Sequence, residues 1–429
     1  MENGQDLIQA GGDVEISKLL LVNFSGEVLN ITSLFTEMNI FEDIFSCSLS
    51  GVINMIDTMD VITNFPIIGE EQLIIEYKTA GYPEDMKITQ VFKTYKLSDQ
   101  IIAGPHKQTY NIHFTTPEAF MDLNMKLSKA YNGTSPIIIG NLLTKEIETE
   151  KDFQLEECSN NIKFVSPFWS PFKCINYAVK NAATSDSNKM GNYMFFETNL
   201  KYRFASLNTL FNDGVIASFH YSNDTDRNPV GDKSERDVMA EMSKIYDLRI
   251  DERFNQLNRM RNGTYSHTVW DHNLLFKSIN KRTYHYDNDF AKSSHLGKYP
   301  VDSAKYNYSS ETLMSSITSV PYTHNTIKSD VLGKTLTTRL PLMNQLDLFR
   351  MEITVHGRTD IEVGDLVNIT IGGLERLTDD DKVSSSNYFD GKYIITSIMH
   401  RITAKKHLMV MNVAKESIDS DYKSWSEQQ

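Results

Sequence analysis

The chain has 429 residues and a mass of 49.1 kDa, with 40% hydrophobic and 23% charged residues. That is enough to bury several cores, and it excludes a disordered, fibrous or collagen-like protein; at about 100–200 residues per domain, two to four domains are expected. Lys and Arg total 43 against 56 Asp and Glu, a formal net charge of −13, which argues against generic affinity for nucleic-acid backbone or an anionic membrane.

Residues 1–14 read as a flexible segment: MENGQDLIQAGGDV has no basic stretch followed by an apolar run. No later segment approaches the ~20 apolar residues that span a bilayer. The expectation is synthesis in the cytoplasm with no membrane-spanning segment, and the N-x-S/T sequences at Asn30, Asn132, Asn223, Asn262, Asn307 and Asn368 then read as turn or strand sequence.

Residues 15–116 carry short apolar segments at 19–24, 28–31, 44–53, 73–77, 88–97 and 110–114. Leu73, Ile75 and Tyr77 alternate with polar neighbours, as do Tyr110, Ile112 and Phe114, the period of a strand with one buried face. Stretches 79–85 and 99–106 have turn composition. A small β-barrel or sandwich is expected.

Residues 117–210 read as a mixed α/β domain. Thr116-Pro117 predicts a helix start with Phe120, Leu123 and Leu127 on one face. Ser135-Pro136 opens a second helix, although Ile137-Ile138-Ile139 also permits a strand. The spacing of Phe172, Ile175, Val179 and Ala182 predicts a third helix over 170–183, and 193–196 and 202–204 return to strand composition. Residues 211–235 read as a linker.

A helix is predicted from Ser234, with Val238, Met242 and Ile245 on its apolar side. Residues 236–290 and 335–418 together read as one discontinuous β-rich domain. Phe349, Met351, Ile353 and Val355 alternate with polar residues, and strands follow at 366–371, 393–399 and 407–411. The polar stretch 291–334 reads as a surface insertion with a short helix at 310–317, and 419–429 as a flexible tail. The two β-rich blocks read as separate units.

No motif commits the chain to catalysis. His267 and His272 miss one helix face, His106 and His113 would lie on opposite faces of an unbroken strand, and no HExxH occurs. Asp224, Asp226 and Glu235 fall at calcium-loop spacing, but Pro229 stands where such a loop needs Gly. The run Asp379-Asp380-Asp381 reads as a solvated loop. Gly133 to Gly140 lacks a GKS or GKT ending, Gly372-Gly373 lacks a dinucleotide fingerprint, and no GxSxG elbow is present. Cys47, Cys158 and Cys174 lack the spacing of a zinc site or a disulfide framework. No catalytic, cofactor-binding or metal residue is assigned, and the alternative to an assembly protein is a cytoplasmic hydrolase whose carboxylate cleft forms only on folding.

The stretches VSPFWSPFKCINYAVKNAATSDSNKMGNYMFFET at 165–198, IDERFNQLNRMRNGTYSHTVWDHN at 250–273, VGDLVNITIGG at 363–373 and YFDGKYIITSIMHRITAKKHLMVMNVA at 388–414 occur in a telling order. In that order the chain resembles the central baseplate hub proteins of contractile-tailed phages, the trimeric hub family of T-even-like phages, over most of residues 15–420. The resemblance implies a mainly β fold with two tube-like β-barrel domains, one from 15–116 and one from 236–290 with 335–418. It implies a homotrimer, a pseudo-sixfold ring between the tail tube protein above and the central spike protein below, with wedge proteins around it. Genomic DNA would pass through its axial channel without specific binding, and no enzymatic activity, metal or cofactor would be needed.

Overall fold

The computed structural model describes residues 10–104, 107–184, 192–221, 235–250, 255–273, 277–300, 310–316, 329–346, 348–371 and 389–419. It begins with β1 (Val14–Val22), β2 (Val28–Asn30), β3 (Phe35–Asp43), β4 (Ser50–Asp57), the one-turn helix α1 (Val61–Asn64), β5 (Gln72–Thr79), β6 (Ile88–Gly104) and β7 (Lys107–Thr115). Alternation fixes the faces: β4 buries Gly51, Ile53, Met55 and Asp57 and leaves Val52, Asn54 and Ile56 half-buried. Two expectations change here. The 44–53 segment is broken, because the Asp43 carboxylate accepts from Phe45 N at 2.8 Å and the Asp43 carbonyl from Ser46 N at 3.0 Å, turning the chain between β3 and β4. The polar residues of 99–104 do not end a strand; they form the distal arm of β6, paired with β7 through register shifts around Ser98/Ile101 and Ile102/Gly104, with Asp99 at φ +54 in the first of these bulges.

The mixed region contains α2 (Pro117–Asn124), β8 (Ala130–Thr134), α3 (Ser135–Leu142), β9 (Asp152–Leu155), β10 (Asn161–Val165), α4 (Pro171–Lys180), β11 (Tyr193–Glu197), β12 (Lys201–Ser206) and α5 (Leu207–Asn212). The isoleucine run is helical, with Pro136 in the first turn, and Ile138, Ile139 and Leu142 pack with Phe172, Ile175 and Val179 of α4 and Tyr193 and Phe195 of β11. The expected face on α2 does not form. The helix stops at Asn124, Leu123 is 74% exposed, and Leu127 reaches the core from the following segment, where it bridges Trp169.

The remainder contributes β13 (Val215–Tyr221), α6 (Glu235–Met242), β14 (Ile245–Ile250), α7 (Gln256–Asn262), β15 (Ser266–Asn273), β16 (Ser278–His285), α8 (Tyr286–Asp289), β17 (Tyr299–Pro300), β18 (Ser310–Ser316), α9 (Ser329–Gln345), β19 (Phe349–His356), β20 (Leu366–Ile371), β21 (Gly391–Ile402), β22 (His407–Lys415) and β23 (Ser417–Ile418). The reading of 211–235 as a linker gives way, because β13 pairs in parallel with β20 and buries Ala217 and Phe219. The helix expected at 310–317 is β18 over its described residues, a parallel partner of β15, and Leu296 is buried among Phe196, Leu366 and Ile394, so residues 291–300 and 310–316 are more than a surface excursion. Ile245 opens β14 rather than completing the apolar side of α6. Asn262-Gly263 ends α7, with Gly263 in the left-handed region that a C-terminal cap requires.

One mainly antiparallel 13-stranded sheet organises the molecule. Its path runs β14-β19-β22-β21-β3-β4-β7-β6-β5-β1-β2, with β13 and β20 attached at β21. In the carboxy-terminal unit, β14-β19-β22-β21-β20-β13 curls back on itself: His220 N donates to Ser243 O at 2.9 Å, just before β14. The two β units, expected to be separate, are joined at β21, whose residues 397–402 pair with residues 43–38 of β3. The turn after β21 also meets the start of β1, where Asp13 bridges Lys406 and His407 N donates to Gly12 O at 2.8 Å. Strand β21 therefore serves two cores, with Tyr393, Ile395 and Ile398 in the second and Ile402 in the first. Among the described residues, no helix is long and apolar enough to cross a membrane.

Candidate functional site

The region of densest buried polar chemistry lies where the mixed region meets both β units. Strands β11 and β12 form a tight antiparallel hairpin, Glu197↔Tyr202 being its last paired position, and the turn inserts three successive polar side chains into protein. Glu197, Thr198 and Asn199 are 1%, 0% and 2% exposed. Each is bound to a different place. Glu197 accepts from Leu49 N at 2.9 Å and Thr116 Oγ1 at 3.1 Å in the first β unit, and its other oxygen meets Lys151, which also holds Glu118 at 3.1 Å. Thr198 Oγ1 donates to Glu362 at 2.9 Å in the second unit. Asn199 Nδ2 donates to Glu42 at 2.5 Å, and its carbonyl accepts from Gln90 of β6.

Glu42 is the hub of this network, receiving Asn199, Val363 N at 3.3 Å and His400 Nε2 at 2.8 Å. His400 Nδ1 in turn lies 3.0 Å from His407 Nε2. One proton arrangement satisfies the chain: His407 Nε2–H donates to His400 Nδ1, and His400 Nε2–H donates to Glu42. The reverse would aim an imidazole lone pair at a carboxylate and leave His407 Nδ1–H, which has no hydrogen-bond partner, as a buried orphan donor. Burial, reinforced by His400, holds His407 well below the ordinary imidazole range and hence neutral. Its ring is wedged edge-on against Tyr77, with centroids 5.8 Å apart, and Gly357 makes room for it, since a Cβ there would sit 2.0 Å from His407 Cγ. Glu42, His400 and His407 are fully enclosed, which suits a tie between units and gives a substrate no access.

Sequence reasoning did not select these residues, although a signal existed. Met38, Ile40 and Glu42 are in phase on β3, as are Ile398, His400 and Ile402 on β21 and His407, Met409 and Met411 on β22; a polar residue at the buried phase marks a place where strands from elsewhere supply its partner. The residues weighed from sequence are scattered. His267 is buried and lowered by burial, His113 bonds Ser98 Oγ at 2.8 Å, and His272 lies in β15. Cys47, Cys158 and Cys174 are free thiols, and burial pushes Cys47 up to about 12, so it is no nucleophile at neutral pH. His106, Asp224, Asp226, Asp379 to Asp381, Gly372 and Gly373 lie outside the described residues, and Glu235 begins α6. Among the described residues, no group of three or more His, Cys, Asp or Glu side chains could hold a metal ion.

The outer surface has a different character. The distal arm of β6 presents Ile101 and Ile102, 62% and 77% exposed, beside a cleft of about 390 Å³ that reaches Asp57 and Asp60. The Asp57 carboxylate is already engaged by Val61 N at 2.8 Å, Met59 N at 2.9 Å and Gln108 at 3.0 Å, so its lone pairs serve the α1 turn.

This architecture is similar to that of two tail proteins of known structure. The chain is similar in structure to the tail protein from Neisseria meningitidis MC58, with a TM-score of 0.57 at 10% identity over 95% of this chain and 98% of that one. It is likewise similar to the 43 kDa tail protein of prophage MuSo2 from Shewanella oneidensis, with a TM-score of 0.53 at 11% identity over 94% and 100% of the two chains. In sequence it resembles the probable baseplate hub protein gp334 of Vibrio phage KVP40, at 21% identity over 398 residues, 89% of this chain and 90% of that one. No family model matches the sequence. The resemblance to a baseplate hub protein holds along nearly the whole chain, and it supports a structural role in a phage tail baseplate.

Proposed function

We propose that three copies of this chain close into a ring that joins the sixfold tail tube to the threefold central spike and lines the axial channel of the baseplate. The observation that carries this reading is the fusion of two β units through β21 in a chain similar to a baseplate hub protein over nine tenths of its length. Two comparable β units per copy and three copies supply six docking positions on one face and three on the other, which resolves a symmetry mismatch by geometry alone. In this reading residues 15–116 form one tube unit. Residues 236–290 and 335–418 form the other, completed by β13, whose pairing with β20 ties it to that unit.

The polar ties suit such an adapter. A ring that carries load between tube and spike needs its β units held in one orientation, and the Glu42–His400–His407 chain fixes that orientation with buried, directional bonds. The adapter works without a catalytic residue, metal or cofactor, and wedge proteins contact its outer surface. The excess of acidic residues limits adhesion of DNA passing through the channel.

Reconstitution of the purified chain with tube and spike proteins, with and without a chelator, tests the proposal. A ternary complex that survives chelation is expected. Failure of the chain to join either partner would overturn the adapter role, reversible loss on chelation would make the joint metal-dependent, and release of sugars from cell-wall polymer by the chain alone would establish the hydrolase alternative.

A further inference from the structure

Ahead of β1, residues 10–13 form a tight turn: Asp13 N donates to Ala10 O at 3.3 Å, and Ala10 N donates to the Asp13 carboxylate at 2.8 Å. The turn spans the two β units. Its Asp13 carbonyl accepts from Ala80 N at 3.0 Å, just past β5 in the first unit, and its Gly12 carbonyl accepts from His407 N at 2.8 Å, at the start of β22 in the second. Gly11 N reaches Glu241 of α6 at 3.4 Å. Next to Ala80 the units also touch directly, where Thr359 N, in the connection after β19, donates to Thr79 Oγ1 of β5 at 3.0 Å. Thr79 and Thr359 are both buried.

Two glycines shape the turn to one ring. A Cβ on Gly11 would lie 2.6 Å from His356 Cδ2, and one on Gly12 would lie 2.4 Å from His356 Nδ1. Gly12 also has φ +77, a conformation that other residues rarely adopt. His356 ends β19 and is 4% exposed; its Nε2 bonds the Tyr246 hydroxyl of β14, and its Nδ1, which has no hydrogen-bond partner, lies under Gly12. No side chain of residues 10–13 joins either hydrophobic core. Opening the turn therefore breaks a few hydrogen bonds, uncovers little apolar surface and returns backbone freedom to two glycines, whereas parting β3 from β21 would uncover Met38, Ile40, Ile398 and Ile402.

We propose that Ala10–Asp13 is a latch across the two β units: seated on His356 it holds them in one orientation at the His407 end of the joint, and it opens ahead of the β3–β21 ladder, letting Thr359 part from Thr79. This conformational device goes beyond the adapter reading and does not depend on it.

Amide hydrogen exchange resolved to single residues, in denaturant below the unfolding transition, reads the latch. Ala80 and His407 report the turn itself, Thr359 the contact between units, and residues 38–43 with 397–402 the ladder. In the wild-type chain the three amides are expected to share one opening, at least about tenfold less protected than the ladder. Gly11→Ala drives a methyl group against His356 at a position outside the left-handed region, and it is expected to lower protection of all three amides at least about tenfold while the ladder stays within about twofold. Thr359 keeping its protection when Ala80 and His407 lose theirs, no loss at any of the three, or an equal loss in the ladder would overturn the proposal. Should Gly11→Ala fail to fold, the wild-type profile decides: a common opening ahead of the ladder supports the latch, and Thr359 exchanging only with the ladder overturns it.

Discussion

Truncation of Ile402 to alanine tests the interlock of the two β units. Ile402 lies at the end of β21, a strand that begins in the carboxy-terminal unit, yet its side chain is 0% exposed inside the first core, paired in register with Met38. The substitution removes three carbons, about 2.4 kcal/mol of transfer free energy at about 0.8 kcal/mol per buried carbon. The strands around it are held by ladders on both sides and cannot collapse fully into the space, so a cavity term adds to this, within the overall span of about 2–5 kcal/mol. Hydrogen exchange with denaturant titration is the assay, and Ile395→Ala, a truncation on the same strand inside the second core, is the control. Ile402→Ala should weaken protection in β3, β4 and β7, more than 280 residues away in sequence, whereas Ile395→Ala should weaken β19 and β20 first. If Ile402→Ala costs under about 1 kcal/mol, or its effect stays within the carboxy-terminal unit, β21 is not shared in the way described.

Gly357→Ala would place a methyl group 2.0 Å from His407 Cγ, on a ring already fixed by His400 and Tyr77; a lower denaturation midpoint and a cost of about 1–3 kcal/mol are expected, while Gly214→Ala, with open space around its Cβ position, should be near neutral. His400→Ala removes the donor that faces Glu42 and leaves both that carboxylate and His407 short of a partner within a closed site, so a loss of about 3 kcal/mol or more is expected in equilibrium unfolding.

The strands were legible wherever burial has period two. Leu73, Ile75 and Tyr77 on β5 and Met351, Ile353 and Val355 on β19 alternate in sequence and are buried as alternation requires. Elements failed where tertiary pairing overrides composition. The distal arm of β6 looks like a turn because it is exposed on both faces, with β7 supplying its backbone partners. Strand β18 has helical spacing of apolar residues but lies beside β15, a partner its own sequence does not announce. Residues 215–221 lie next to polar, proline-bearing sequence, and only the distant β20 makes them a strand. The candidate site was less legible still. Glu42, Glu197 with Asn199, Glu362 and His400 come from four separate segments, and each looks unremarkable until the segments meet. The one local clue was a charged or polar side chain at an otherwise apolar phase, as at Glu42 after Met38 and Ile40.

The central claim is the closed threefold ring, and the mass of the purified chain in solution, measured across a concentration series with and without tube and spike proteins, tests it most directly. A species of three times the 49.1 kDa chain mass, appearing alone at high concentration or on addition of either partner, is the predicted result. Monomers or dimers that persist at every concentration, with both partners present, would contradict it.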